Sequence, residues 1–357
     1  MSHMFVPGPV DVAPEVLAQM AKPMLPHRSK EYEAIHRNAA EKAQKLFYTQ
    51  HRVLIGTHSG SGMQEAGMRN LVSKDVLCCV NGAFSQRWYD VAVSNGKKAD
   101  RLDAEWGKGI SPADLREALL KKHYEAVSIV HNETSTGVEN PLKELASVVK
   151  DVSPDTFILV DAVSSLGGSK IEMDAWGIDF LLTSSQKCLA LPPGLSLAGV
   201  NDRALEKAAT VENRGWYFDL LLMEKHRVKN STAMTPVVSI VYALDYQLDR
   251  IFEEGLENRF SRHAAMSQRV YDWALANGMT PFAEQSCRSK TVATINNTLN
   301  LDIALLNKFL MEKHEMRISN GYGDLKGKTF RIATMGETTL EDVDQLLIGM
   351  EEFIAQQ

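Results

Sequence analysis

Asp179-Phe180-Leu181-Leu182-Thr183-Ser184-Ser185-Gln186-Lys187-Cys188-Leu189 is an apolar run that ends in three polar residues and a lysine, with Pro192-Pro193-Gly194 just beyond. Four to six apolar residues bounded by turn formers read as a buried strand. Lysine is normally a solvated surface residue. One at the mouth of a buried strand therefore reads as an amine whose pKa is lowered by burial and which serves as a nucleophile.

A second apolar run, Phe157-Ile158-Leu159-Val160, ends directly in Asp161-Ala162-Val163-Ser164-Ser165. In an open α/β sheet, ligands bind in the crevice outside the carboxyl ends of the strands, so Asp161 and Lys187 are expected to face one pocket from neighbouring strands. Such an amine and such a carboxylate suit pyridoxal 5'-phosphate. The lysine forms a Schiff base with the aldehyde and the aspartate pairs with the pyridinium nitrogen.

The remaining pattern extends this reading. Candidate strands at 52–56, 76–80, 98–102, 126–131, 157–161, 180–183 and 196–200 alternate with helical stretches such as 112–122 and 141–150, which argues for βαβ units and a mainly parallel sheet. Pro236 is expected to open a helix. A second helix is expected over 255–277, stopped by Gly278. Strands near 291–295 and 330–333 and helices at 302–312 and 340–354 complete a smaller C-terminal unit.

The segment Gly60-Ser61-Gly62-Met63-Gln64-Glu65-Ala66-Gly67 follows a strand and opens a helix, where free N–H groups bind phosphate. Its third glycine comes two residues too late for a dinucleotide fingerprint. A phosphate cradle made by Ser61 and Gly62, completed by Ser185 or Gln186, is the better fit.

Composition sets outer limits. The chain has 357 residues, enough for a large domain and a smaller one. The apolar fraction of 44% and charged fraction of 24% are those of an ordinary globular protein. A formal charge of -6 argues against nucleic-acid binding, and no run approaches the ~20 apolar residues of a membrane span. Cys78, Cys79, Cys188 and Cys287 form no metal-spaced cluster, so no metal site is expected and a reducing cytoplasm is the simplest location. The N-terminus has no basic region followed by an apolar one, and Met1-Ser2-His3-Met4 is set aside as a tag remnant.

The ordered set Pro7-Gly8-Pro9, Ser59-Gly60-Ser61-Gly62, Asn81-Gly82, His131-Asn132-Glu133-Thr134-Ser135-Thr136-Gly137, Val160-Asp161-Ala162-Val163-Ser164-Ser165, Ser185-Gln186-Lys187 and Phe330-Arg331-Ile332 resembles the class V aminotransferases of PLP fold type I, alanine-glyoxylate and serine-pyruvate branch. The resemblance runs over nearly the whole chain. It implies an α/β fold with a mainly parallel seven-stranded sheet, one strand antiparallel, flanked by helices, and a smaller C-terminal α+β domain. The expected division is an arm at 1–15, a large cofactor-binding domain at 16–253 and a small domain at 254–357.

For the site, the resemblance implies Lys187 and Asp161 as catalytic. It implies cofactor contacts from Ser61, Gly62, Met63, Phe84, Thr134, Ser135, Asp161, Val163, Ser185, Gln186, Lys187 and Thr235. Phe84 and Val163 would take opposite ring faces, Thr134 or Ser135 the 3'-oxygen, and Thr235, with Thr232 as second candidate, the phosphate of a partner subunit. Arg331, with Gly8, would hold the substrate's α-carboxylate, because guanidinium offers a bidentate fork.

Met63 stands where the alanine-glyoxylate enzymes often carry a histidine, and Ser231 where some carry a tyrosine. The implied enzyme is a homodimer with its site at the subunit interface, moving an amino group from alanine or serine to glyoxylate or pyruvate. No second arginine dedicated to a dicarboxylate side chain is obvious. Alternatives are a transaminase of 2-aminoethylphosphonate, ureidoglycine or aspartate, a desulfurase-like lyase, and a non-enzymatic protein of the same fold. Gln186 before the lysine, where desulfurases need histidine, disfavours the lyase.

Overall fold

The computed structural model describes residues 3–356. Its central sheet has seven strands in the order Arg52–Gly56, Ser196–Val200, Phe180–Ser184, Phe157–Asp161, Ala126–Val130, Asp75–Val80 and Lys98–Asp103. Only Ser196–Val200 runs antiparallel, to both of its neighbours, and the other pairings are parallel.

Parallel strands must be buried on both faces because their crossover helices cover both sides. The central strands obey this residue by residue. Ile158, Val160, Leu181 and Leu197 enter one apolar cluster, with Phe47, Val241 and Leu244 from the covering helices. Leu159, Phe180, Leu182 and Ala198 enter a second cluster on the opposite face, with Met68 and Trp88. The period-2 alternation of strand side chains thus splits a continuous apolar run between two cores.

A second sheet of five short strands runs in the order His3–Phe5, Met316–Asn320, Thr329–Ala333, Val292–Asn296, Thr280–Pro281. Its apolar cluster includes Phe5, Trp273, Phe330, Ile332 and Leu346, covered by the helices Leu256–Ala276 and Leu340–Ile354. The last helix carries a full capping box between Thr339 and Asp342.

Three sequence expectations shift. His3 and Met4 are part of the fold, because His3–Phe5 pairs in parallel with Met316–Ile318; Met1 and Ser2 lie outside the described residues. The helix expected to open at Pro236 begins at Val238 instead, since Val237 sits at ψ 81°, outside the helical range, and gives its N–H to the Thr57 hydroxyl at 3.3 Å. Helix Lys30–Leu46, capped by Ser29, and strand Met316–Asn320 were not foreseen. Gly278 sits just past the helix ending at Ala276 with φ +74°, a left-handed stop.

The two sheets meet at the hairpin Asn132–Glu133/Val138–Glu139. Gly137 closes its turn at φ +71°, where a Cβ would lie 2.7 Å from Thr294 Oγ1 and 3.0 Å from the Thr294 backbone nitrogen, and its carbonyl accepts the Ser289 N–H at 2.9 Å. Left-handed strain and overpacking therefore act together in Gly137→Ala, which should cost about 2–4 kcal/mol. Urea unfolding checks this. An unchanged midpoint would mean that the Thr294 strand yields freely.

Candidate active site

Five of the parallel strands, Arg52–Gly56, Asp75–Val80, Ala126–Val130, Phe157–Asp161 and Phe180–Ser184, end on one edge of the sheet, and the residues at and beyond those ends build the site. Past Ser184, the chain turns through Ser185 and Gln186 to Lys187, and this turn is braced by the loop it begins. Ser185 Oγ donates to the Pro192 carbonyl at 2.7 Å and accepts the Leu195 N–H at 3.2 Å, while the Ser185 carbonyl accepts the Leu191 N–H at 3.0 Å.

The next peptide is held from the other side. Arg259 is fully buried, ion-paired to Glu254 at 2.7 Å, and donates to the Cys188 carbonyl at 2.8 Å and the Gly167 carbonyl at 3.0 Å. The Lys187 ammonium reaches the Pro7 carbonyl of the N-terminal segment. Gly8 lies against the lysine at φ +87°, and a Cβ there would be 2.6 Å from Lys187 Cδ and 2.8 Å from the Gln186 carbonyl. Only glycine satisfies both the backbone and the close approach.

Asp161 ends the neighbouring strand and is buried. Its Oδ1 accepts the Val163 N–H at 2.8 Å and its Oδ2 accepts Gln64 Nε2 at 2.6 Å. Burial pushes its pKa up to about 6, against the pull of these two hydrogen bonds. Burial also brings Lys187 down to about 8, and Arg331 and Arg87 act in the same direction while Cys188 and Asp161 oppose. The site thus brings a lysine and an aspartate toward each other's range without a direct ion pair.

Lys187, Asp161, Phe84, Val163, Thr134 and Ser61 face one cavity of about 220 Å³, with Gln186 at its rim. Phe84 is held there by a long-range cap. Glu133 accepts the N–H groups of Phe84 and Ser85 at the start of helix Ala83–Ser94, an anion placed at the positive end of the helix dipole. Gly82 is required for space: a Cβ there would lie 2.4 Å from Glu133 Cγ. Thr134 Oγ1 donates to Ser164 Oγ at 2.8 Å.

Arg331 projects from strand Thr329–Ala333. Its Nε donates to the Asn320 carbonyl at 3.1 Å and one Nη1 hydrogen to the Thr134 carbonyl at 3.4 Å, which leaves the rest of the fork uncommitted. Burial lowers its pKa to about 10.

Several expected contacts go elsewhere. Ser185 spends its hydroxyl on the loop between Pro192 and Leu195. Ser135 Oγ accepts the Ala83 N–H and donates to Glu133, so it serves the helix cap. The Met63 side chain is wholly enclosed in the apolar core behind the helix. The Gly62 N–H closes a turn onto the Ser59 carbonyl at 3.0 Å and is not available to a ligand. Thr235, whose expected contact is the phosphate of a partner subunit, is exposed and lies outside this chain's own cavity. At the position of the family's tyrosine, Ser231 Oγ donates to the His27 carbonyl at 3.4 Å.

Other groups were missed. Ser184, Gln64 and Asn132 line the cavity, and each carries a buried side-chain oxygen with no partner among the described residues. Gln64 was legible in principle, three residues after Ser61 and so on the same helical face. Arg87 relates to Phe84 in the same way and lines the cavity too.

Unpaired buried polar atoms call for an absent polar ligand. Ser184 Oγ, Gln64 Oε1 and Asn132 Oδ1, the helix start at Gly60-Ser61 and the anionic Asp161 together fit a flat, phosphorylated, cationic-ring cofactor. A Cβ on Gly60 would lie 2.7 Å from Val163 Cγ2 and obstruct the cavity between them. Pyridoxal 5'-phosphate meets each requirement.

Comparison with known proteins agrees. The model for "Aminotransferase class-V" matches residues 14–346. An uncharacterized aminotransferase of Methanocaldococcus jannaschii is 38% identical, with 93% of this chain and 87% of that protein covered. The L-aspartate–glyoxylate aminotransferase of Paracoccus denitrificans is 32% identical over 94% of this chain and 86% of its own. The crystal structure of an alanine–glyoxylate aminotransferase from Nostoc sp. superposes with a TM-score of 0.92 at 30% identity, over 99% of this chain and 95% of that one.

The lowered amine pKa has a direct test. Only the neutral amine acylates, so trace acetylation of Lys187 in the cofactor-free protein, followed by peptide mass spectrometry, should rise with pH to a plateau with its midpoint near 8. A midpoint at the ordinary lysine value of about 10.4 would mean that neither burial nor the two arginines perturb it.

Proposed function

The chain belongs to the class V aminotransferase family, a pyridoxal-phosphate-dependent transaminase of amino acids and keto acids, and on that premise we propose that it moves the amino group of alanine or serine to glyoxylate or pyruvate. The observation that carries this reading is the cavity itself, where a lysine with a lowered pKa and a buried aspartate line about 220 Å³, and a half-committed arginine, Arg331, donates to the carbonyl of the lining residue Thr134.

Bound, the cofactor supplies an aldehyde carbon that accepts the amino group and a ring that takes up electrons. The chain's own residues do the rest. Asp161 holds a proton on the ring nitrogen, since a nearby carboxylate favours the cationic form. A cationic partner in turn draws the Asp161 pKa below 6, so the aspartate stays ionised.

Lys187 Nζ, neutral in an appreciable fraction near pH 8, would take the proton from the substrate Cα. Phe84 and Val163 enclose the ring from opposite sides. Thr134 takes the ring oxygen. The hydroxyls of Ser61 and Ser184 and the free helix-start N–H groups take the phosphate. Arg331 binds the α-carboxylate, with Gly8 beside it.

The same reading divides the chain into an arm at 1–15, a large domain at 16–253 and a small domain at 254–357. It also makes the enzyme a homodimer whose sites lie at the interface. Trp216, 68% exposed, Val228, 60% exposed, and the outward-facing Thr235 are open to such a partner. Four buried free thiols favour a cytoplasmic location. No helix among the described residues is long and apolar enough to cross a membrane.

A panel of amino donors against glyoxylate and pyruvate tests the substrate pair. Lys187→Ala should abolish turnover while leaving a folded protein that retains some cofactor, and normal transamination by this variant would overturn the assignment. Every donor and acceptor presents the same carboxylate. Arg331→Lys, which keeps the charge but loses the fork, should therefore raise KM about 10- to 100-fold for both substrates, with the resting absorbance spectrum unchanged. A rise for one substrate only would remove Arg331 as the shared anchor.

A further inference from the structure

Arg87 faces the cavity, and beyond its small share in lowering the Lys187 pKa it has no assigned contact in the transfer chemistry of Lys187, Asp161 and Arg331. It lies one helical turn after Phe84, with its guanidinium carbon 4.9 Å from the Phe84 ring centre and Nη2 donating to the Tyr322 hydroxyl at 3.2 Å. Tyr322 packs against Phe84 at 5.3 Å and has the Arg331 guanidinium carbon 5.5 Å from its own ring centre. One tyrosine side chain thus separates two guanidiniums, one at its face and one at its tip.

Among the described residues neither arginine forms an ion pair with a carboxylate. The nearby acids are otherwise engaged: Glu133 caps the Phe84 helix, and Asp161 is bonded to Gln64 and Val163. Part-buried guanidinium without a counter-ion is costly and marks a place for an anion. The substrate's α-carboxylate accounts for one such anion, at Arg331.

We infer that Arg87 is a specificity-determining residue that receives a second carboxylate, on the donor side chain, so that this transaminase also takes acidic amino acids. The inference rests on the transaminase reading of the site, with Arg331 and Arg87 dividing the two carboxylates of one dicarboxylic donor. Nη2 is already oriented by the Tyr322 hydroxyl, and the other guanidinium hydrogens remain for the ligand.

The test uses pairs that differ only in charge. With the holoenzyme, kcat/KM for aspartate should exceed that for asparagine by about 10- to 100-fold, the range of a charge-assisted hydrogen bond. Arg87→Gln should remove that preference and Arg87→Lys restore part of it, while alanine loses far less than aspartate. In parallel, calorimetry should show succinate binding more tightly than succinamate, its neutral-ended isostere, with the difference lost in Arg87→Gln.

Equal use of aspartate and asparagine by an enzyme that turns over alanine or serine would overturn the inference. So would an equal loss for aspartate and alanine in Arg87→Gln, or equal binding of the two inhibitors. Failure to transaminate any donor would instead overturn the transaminase reading, and the succinate and succinamate comparison would still decide whether Arg87 holds an anion.

Discussion

The site depends on one electrostatic constraint: an amine is kept out of water at the edge of a parallel sheet. Charging Lys187 there is opposed first by burial and then by Arg331 and Arg87. An ordinary lysine is protonated at neutral pH and has no lone pair to offer. The same low-dielectric surroundings act with opposite sign on Asp161, whose charged form they also disfavour. One environment thereby produces a more available base and a carboxylate whose charge a cationic ring would secure.

Holding that amine requires a rigid frame, and the frame is assembled from parts far apart in the chain. The antiparallel strand Ser196–Val200 returns the chain beside Phe180–Ser184, which lets the loop from Ser185 to Leu195 close on itself and brace the lysine. Arg259 fixes the peptide after it from the helix Leu256–Ala276. Pro7 and Gly8 close on the lysine from the N-terminal segment, immediately after a strand that belongs to the second sheet. Loops alone rarely keep such precision, and packing on sheet and helix is what supplies it.

Polar groups around the cavity fall into two populations. Ser185, Ser135, Glu133 and the Gly62 N–H satisfy one another or the backbone and so hold the walls. Among the described residues, Ser184, Gln64 and Asn132 keep an oxygen unpaired in a buried place. Since a buried unpaired polar atom costs free energy, the second population marks where a ligand's own polar atoms belong. That distinction identifies a binding surface more sharply than residue type does.

The sequence by itself determined the alternation of strands and helices and put Asp161 and Lys187 at the ends of two apolar runs, because local periodicity and the residues that terminate each run dictate them. The seven-stranded sheet followed from the resemblance to the family, and helix Lys30–Leu46 and strand Met316–Asn320 emerged only in the structure. Phe84, Val163 and Thr134 were legible through the motifs that surround them. What the serines do was decided only in three dimensions. Ser184 and Ser185 are adjacent and chemically identical, yet the second bonds to Pro192 and Leu195 while the first faces the cavity, a consequence of strand alternation and of a loop that folds back. Arg87 was not singled out in the sequence, and its place is set by Tyr322, distant in the chain, whose hydroxyl it meets. Hydrogen bonding is short-ranged, so the partners that settle a polar residue's role are set by which distant segments the packed cores bring within about 3 Å.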